Sequence, residues 1–157
     1  MSFAPAQFLT YLFHAGTLNI RETKMSGHRD RRRALALGRW GEDQVCRQLE
    51  KAGFAIRARN FRRRGCEIDL IAARDRELIF VEVRTRSRPP ADPAGLMNRQ
   101  KFFYLQRGVQ HYLSTQTERF PDQIRIALAV VIGDGAEGKP GPGIRWYEDL
   151  RAEDLQG

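Results

Sequence analysis

Residues 65 to 88 read GCEIDLIAARDRELIFVEVRTRSR, two apolar runs into which acids and bases have been set. A strand sends alternate side chains to opposite faces. Glu67, Asp69 and Ile71 therefore share one face of the first run, and Phe80, Glu82, Arg84 and Arg86 one face of the second. If Asp75 and Arg76 form a two-residue turn, Arg74 pairs with Glu77, and the same register sets Asp69 across from Glu82. Their Cβ atoms would then lie about 4.5–5.5 Å apart on one face, where like charges repel. Something positive belongs between them. Hard divalent cations, Mg²⁺ or Mn²⁺, take carboxylate oxygens and complete their coordination with water, so the pair reads as a metal site. The sequence RDRE lacks the Gly or Asn that tight hairpin turns prefer, so the register is inferred from the strands alone.

Two more side chains belong to this constellation. Glu42 stands with Val45, Cys46 and Leu49 at i, i+3, i+4 and i+7, which puts a carboxylate on the inward stripe of a helix and makes it a third candidate ligand. Arg84, two residues past Glu82 on the same face, brings a fixed positive charge to any anion that the metal holds. The bland alternative is a strand whose Glu and Arg line a solvated face. Ile71 and Phe80 on the charged face, and Ile68, Leu70, Ile79, Val81 and Val83 on the other, argue instead for a half-buried acidic pocket.

The elements that must position these residues follow from periodicity. A helix is expected from Asp30 as N-cap through RRRALALGRWGEDQVCRQLEKA to Gly53, a suitable C′ residue. Gly38 lies inside it on nearly the same face as Glu42, which predicts a close approach there. Strands are expected over FAIRARNF, CEIDLIAAR and ELIFVEVRTR. The prolines of SRPPADPAG stop the last of these. A second helix, NRQKFFYLQRGVQHYL, carries Phe102, Leu105, Val109 and Leu113 as a core stripe. A fourth strand, IRIALAVVI, is apolar enough to be covered on both faces, and IRWYEDL reads as an edge strand. The order is α, β, β, β, α, β with one extra strand.

The 157 residues, 41% of them hydrophobic, suffice for one domain. Residues 28–157 are expected to form it. Residues 1–27 are expected to be an extension, disordered or lying upstream of a natural start at Met25. The formal charge of +8, carried mostly by Arg, suits a polyanionic partner. The strip Arg57, Arg59, Arg62, Arg63 and Arg64, with Arg86 and Arg88 near the hairpin end and Lys101 on the second helix, is the candidate phosphate-binding surface. A solvated edge that discourages strand pairing is the plainer reading of the same arginines. Cys46 and Cys66 make neither a zinc pattern nor a disulfide framework, and the three histidines form no ligand set. No apolar run reaches the roughly 18 residues of a membrane span and no signal peptide is evident, so a cytoplasmic location without membrane attachment is expected.

The segments GRWGE and RNFRRRGCEIDLIAARDRELIFVEVRTRS resemble the bacterial YraN family, nuclease-like proteins within the PD-(D/E)xK restriction-endonuclease-like superfamily. The resemblance covers roughly residues 34 to 132. It implies an α/β fold with an αβββαβ core, a central mixed sheet flanked by helices, a likeness to archaeal Holliday junction resolvases, and metal-dependent cleavage of nucleic acid. It places the superfamily's hairpin acid on Asp69, the (D/E) of its (D/E)xK element on Glu82 and its helix acid on Glu42. The lysine of that element falls on Arg84, which cannot give up a proton and can serve only as an electrostatic clamp. Lys101 is a candidate for the displaced amine. Cys66 and Ala127 also depart from the pattern, which has a glycine before the Glu of EIDL and an acid in the last strand. Analogy with resolvases further suggests a homodimer. The expectation is an endonuclease that hydrolyses DNA, branched DNA included, and the rival is a binding module that keeps the fold and has lost the chemistry. A membrane-surface protein anchored by residues 1 to 24 is a third, weaker reading.

Overall fold

The structure is a computed structural model that describes residues 28–90, 94–116, 121–135, 143–148 and 155. The expected extension over residues 1–27 lies outside the described residues. Helix α1 spans His28–Lys51 and is followed by strands β1 (Ala55–Arg63), β2 (Cys66–Arg74) and β3 (Glu77–Arg86). A 3₁₀ turn (Ala94–Leu96), helix α2 (Arg99–Ser114) and strands β4 (Gln123–Ile132) and β5 (Gly143–Glu148) complete the order. The five strands lie in the order β1-β2-β3-β4-β5. All neighbours are antiparallel except β3 and β4, which run parallel from Glu77↔Gln123 to Arg86↔Ile132 and are joined through α2. This is a mixed-sheet α/β fold consistent with a restriction-endonuclease-like core.

Each sheet face buries its own cluster. Val45, Cys46 and Leu49 of α1 pack with Leu70, Ala72, Ile79, Val81 and Val83, while Phe102, Leu105 and Val109 of α2 pack with Ile71, Phe80, Leu128 and Val130. β4 alternates small Ala127, Ala129 and Val131 toward α1 with Leu128 and Val130 toward α2, which is why its sequence is a continuous apolar run. Ala127, where the family pattern has an acid, is fully buried in the α1 cluster. Both cysteines are buried free thiols, and burial pushes the Cys46 thiol up against the opposing pull of Arg59.

The helix ends follow the sequence closely. Gly53 takes φ 86°, its N–H bonds Glu50 O, and the Phe54 N–H bonds Leu49 O, the paired C-terminal closure of a Schellman motif with Leu49 and Phe54 both buried. Asn98 caps α2 by accepting from the Lys101 N–H at 2.8 Å. Two expectations are corrected. α1 begins at His28, so Asp30 sits in its first turn and is not the cap. The close approach predicted at Gly38 occurs at Gly41: a β-carbon on Gly38 would meet nothing within 4 Å, whereas one on Gly41 would lie 2.0 Å from Thr85 Oγ1. One turn of helical drift moves the contact onto the residue that directly precedes Glu42.

Candidate active site

The β2–β3 hairpin has the expected register near its turn, with Arg74↔Glu77, Ala73↔Leu78, Ala72↔Ile79, Ile71↔Phe80 and Leu70↔Val81. Asp75 supplies the one left-handed residue of the turn (φ 52°), an excursion that Asp tolerates better than most side chains. Beyond Leu70↔Val81 the ladder stops, although both strands continue. β2 stays paired to β1 as far as Arg63↔Cys66, so it leaves β3 at Asp69.

A backbone irregularity of β1 lies at the same level. Asn60, between the pairs Arg59↔Leu70 and Phe61↔Ile68, is left-handed (φ 51°), and the simple alternation of both strands breaks there. Ile68 and Ile71 both join the α2 cluster, with Ala58 and Phe61 of β1 packed against it, while Leu70 joins the α1 cluster. The expectation that Ile68 and Leu70 share a face is thereby corrected. Asp69 fills the split: its Oδ2 accepts the Val83 N–H at 2.8 Å, a backbone donor at the level where the β2 ladder has ended. Its other oxygen has no partner among the described residues.

Glu82 follows Val81 on β3 and is 0% exposed. Arg84 Nη1 lies 2.7 Å from its Oε1, and Lys101 Nζ, arriving from the first turn of α2, lies 3.0 Å from its Oε2. Each oxygen has a single cation beside it and no aligned hydrogen bond, so both buried oxygens keep acceptor capacity. Burial and the neighbouring Asp69 push the Glu82 carboxyl up to about 7, against the opposing pull of Arg84 and Lys101. The positive charge that the sequence demanded is supplied here by two side chains of the chain itself.

Glu42 is tied to β1. Its Oε2 accepts from Asn60 Nδ2 at 2.9 Å and sits 3.6 Å from Arg59 Nη2, so the residue that bends β1 also holds the helix carboxylate. Among the described residues no three His, Cys, Asp or Glu side chains gather as a metal-holding group. What does fit a hard cation is the pair: Glu82 with two buried oxygens lacking directed hydrogen bonds, and Asp69 with one uncommitted oxygen.

The basic strip is divided. Arg59 is tied to Asp43 at 2.6 Å and Arg62 to Glu67 at 2.6 Å, so acids remote or skipped in the sequence neutralise two of its members and give Glu67 a structural task. Arg57, Arg63, Arg64, Arg86 and Arg88 are exposed. Lys101, which the sequence offers both to the phosphate surface and as the displaced amine, reaches Glu82 with its side chain 26% exposed. Asn60 and Asp43 were not singled out by sequence. The preference of Asn for left-handed backbone was the available signal.

Among the described residues no helix is long and apolar enough to cross a membrane. The helix-flanked mixed sheet and the parted hairpin with its acid pair define a protein with a restriction-endonuclease-like core. Comparison with known proteins gives the family. Residues 41–131 match the model of the "Uncharacterised protein family UPF0102". UPF0102 proteins of Syntrophotalea carbinolica (36% identical over 117 residues, 69% of this chain and 90% of the relative) and Syntrophomonas wolfei (33% over 100 residues, 63% and 87%) are similar to it. So is one of Streptomyces griseus (38% over 98 residues, 62% and 82%). The chain belongs to the UPF0102 family, that of the YraN-like proteins it resembles.

Proposed function

We propose that the protein is a metal-dependent endonuclease that hydrolyses phosphodiester bonds of DNA, branched DNA included. The observation that carries this reading is the convergence, where β2 and β3 part, of a buried Glu82 and a half-committed Asp69 with two cations beside them. Asp69 and Glu82 would hold one Mg²⁺ or Mn²⁺, which when bound acidifies a water and screens charge on the phosphate. Arg84, always protonated, stabilises anionic charge at the phosphate as a preset donor. Lys101 holds Glu82 in place and adds positive charge at the same spot. Glu42, oriented by Asn60, positions polar groups on the α1 side of the split. Arg57, Arg63, Arg64, Arg86 and Arg88 bind backbone phosphates without reading sequence.

The test is incubation with branched, single-stranded and duplex substrates with and without Mg²⁺ or Mn²⁺. Metal-dependent nicking that disappears in both Asp69→Asn and Glu82→Gln, with binding retained, is the expected result. A second reading has its own support. Arg84 stands where the superfamily has lysine, and with Lys101 it already neutralises Glu82, as in a fold kept only for binding nucleic acid. Retained, salt-sensitive binding with no nicking under any metal would establish that alternative.

A further inference from the structure

Between the tip of the β1–β2 hairpin and one edge of α2 runs an open cleft of about 390 Å³, lined by Arg62, Arg63, Gly65, Glu67, Lys101 and Tyr104. Lys101 and Tyr104 stand one turn apart on α2. Arg107 continues their edge, its Nη1 3.6 Å from where a β-carbon on Gly65 would sit. The walls are basic, because three cations, Arg62, Arg63 and Lys101, outnumber the one acid among the lining residues, Glu67, which is bonded to Arg62 through its Oε1. Arg63 holds its guanidinium 4.9 Å from the centre of the Phe61 ring, which fixes a flat cation at the mouth. Tyr104 is half-buried, and its hydroxyl accepts from Gln100 Nε2 at 3.2 Å. Lys101 also touches Glu82, so the cleft and the acid pair share a wall.

A surface built only to grip a duplex backbone needs cations. A recess that adds an aromatic ring to them suits a base together with its phosphate, because base–aromatic stacking and charge are the two terms of single-strand binding. Its volume lies near the small end of the roughly 300–1,000 Å³ of ligand pockets, room for one nucleotide unit and not for a paired step. We propose that this cleft is a subsite for an unpaired nucleotide flanking the scissile phosphate. The substrate class is then DNA with a single-stranded segment at a fork, flap or branch. The proposal rests on the hydrolase reading for which phosphate is cut, and not for the binding of the unpaired nucleotide.

The experiment uses the full chain in EDTA with two DNA probes, a fork carrying 2-aminopurine at its first unpaired positions and a blunt duplex of the same sequence. Binding should quench the 2-aminopurine emission at one unpaired position. Tyr104→Ala should weaken fork binding about tenfold and duplex binding less than about twofold, while Tyr104→Phe retains fork affinity. Quenching at no unpaired position overturns the proposal, and because it is read on the unsubstituted protein, a poorly folded variant cannot obscure it. Equal losses on fork and duplex in a folded Tyr104→Ala protein overturn it as well. Fork preference without cleavage on adding metal would remove the hydrolase and leave the subsite. Cleavage of DNA with no fork preference would do the reverse.

Discussion

Strand β3 carries one glutamate where its ladder with β2 begins and another one residue past where that ladder ends, and each has two cations. Glu77, beside the turn, receives Arg74 Nη2 at 3.2 Å and Arg125 Nη1 at 2.6 Å as directed hydrogen bonds, in a network that Arg125 extends to Glu148. Glu82, at the parting end, has Arg84 and Lys101 at similar distances but without that directionality, and a second carboxylate, Asp69, beside it. Glu77 is 13% exposed and Glu82 not at all. The same ingredients thus make a satisfied structural pair at the closed end and an unsatisfied, like-charged pocket at the open end. The difference lies in whether the sheet closes around the carboxylate with all its hydrogen bonds made.

The sharpest way to break this contrast is activity. Asp69→Asn and Glu82→Gln should each lower nicking by more than the roughly 10–100-fold that loss of an outer-shell partner costs, whereas Glu77→Gln should stay within about threefold. An equal loss in Glu77→Gln, measured on one nicked-circle assay, would erase the distinction. Stability gives the next effect. Lys101→Met leaves a buried carboxylate with one cation and should cost about 2 kcal/mol by urea denaturation, below the roughly 3–5 kcal/mol of a fully buried pair because the lysine is partly exposed. At the closed end the half-exposed Arg74–Glu77 pair should contribute under about 1 kcal/mol in a double-mutant cycle, which sets aside the contacts of Arg74 with Ala52 O and the Phe54 ring.

The third effect is the pH dependence. Because Glu82 holds its proton up to about 7, above the ordinary 4.5, the folded protein binds more protons than the unfolded chain between those values. Its contribution to stability is complete below pH 4.5 and is lost as pH rises through about 7. The melting temperature of the metal-free protein should therefore fall across that window more steeply than that of Glu82→Gln, and parallel curves would contradict the assignment. The smallest effect concerns two glycines of α1. Gly38→Ala should stabilise by up to about 1 kcal/mol, since nothing opposes the new methyl. Gly41→Ala should destabilise by about 1–3 kcal/mol, and Thr85→Ala should relieve it, because the hydroxyl is what stands in the way.

The order of elements and the hairpin register were legible in the sequence because both depend on short-range pattern: apolar alternation, helical stripes, Gly53 and Asn98 at helix ends, and a two-residue gap between Arg74 and Glu77. The nearness of Asp69 and Glu82 was legible for the same reason, although the ladder ends at Leu70↔Val81 and does not set them directly opposite as the register predicted. What pattern could not give was the parting of β2 from β3, which coincides with a left-handed residue in a third strand, Asn60, and with the backbone donor that Asp69 accepts. Glu42 shows the cost of that gap. Its place on the inward stripe of α1 was read correctly, but its partner is Asn60, a contact between elements 18 residues apart that no periodicity announces. The basic strip likewise looked free of acids along the chain and is half neutralised by Asp43, Glu42 and Glu67 once folded.

Lys101 borders both the buried glutamate and the recess beneath Tyr104. On the proposed readings, an anion that drew its ammonium toward the recess would leave Glu82 with Arg84 as its sole counter-charge and would make that carboxylate a stronger host for an arriving cation. Linkage then runs both ways: a cation seated on Glu82 would release the same ammonium to the visitor next door by an equal free energy. One flexible four-carbon arm would in this way act as a latch between two neighbouring occupancies.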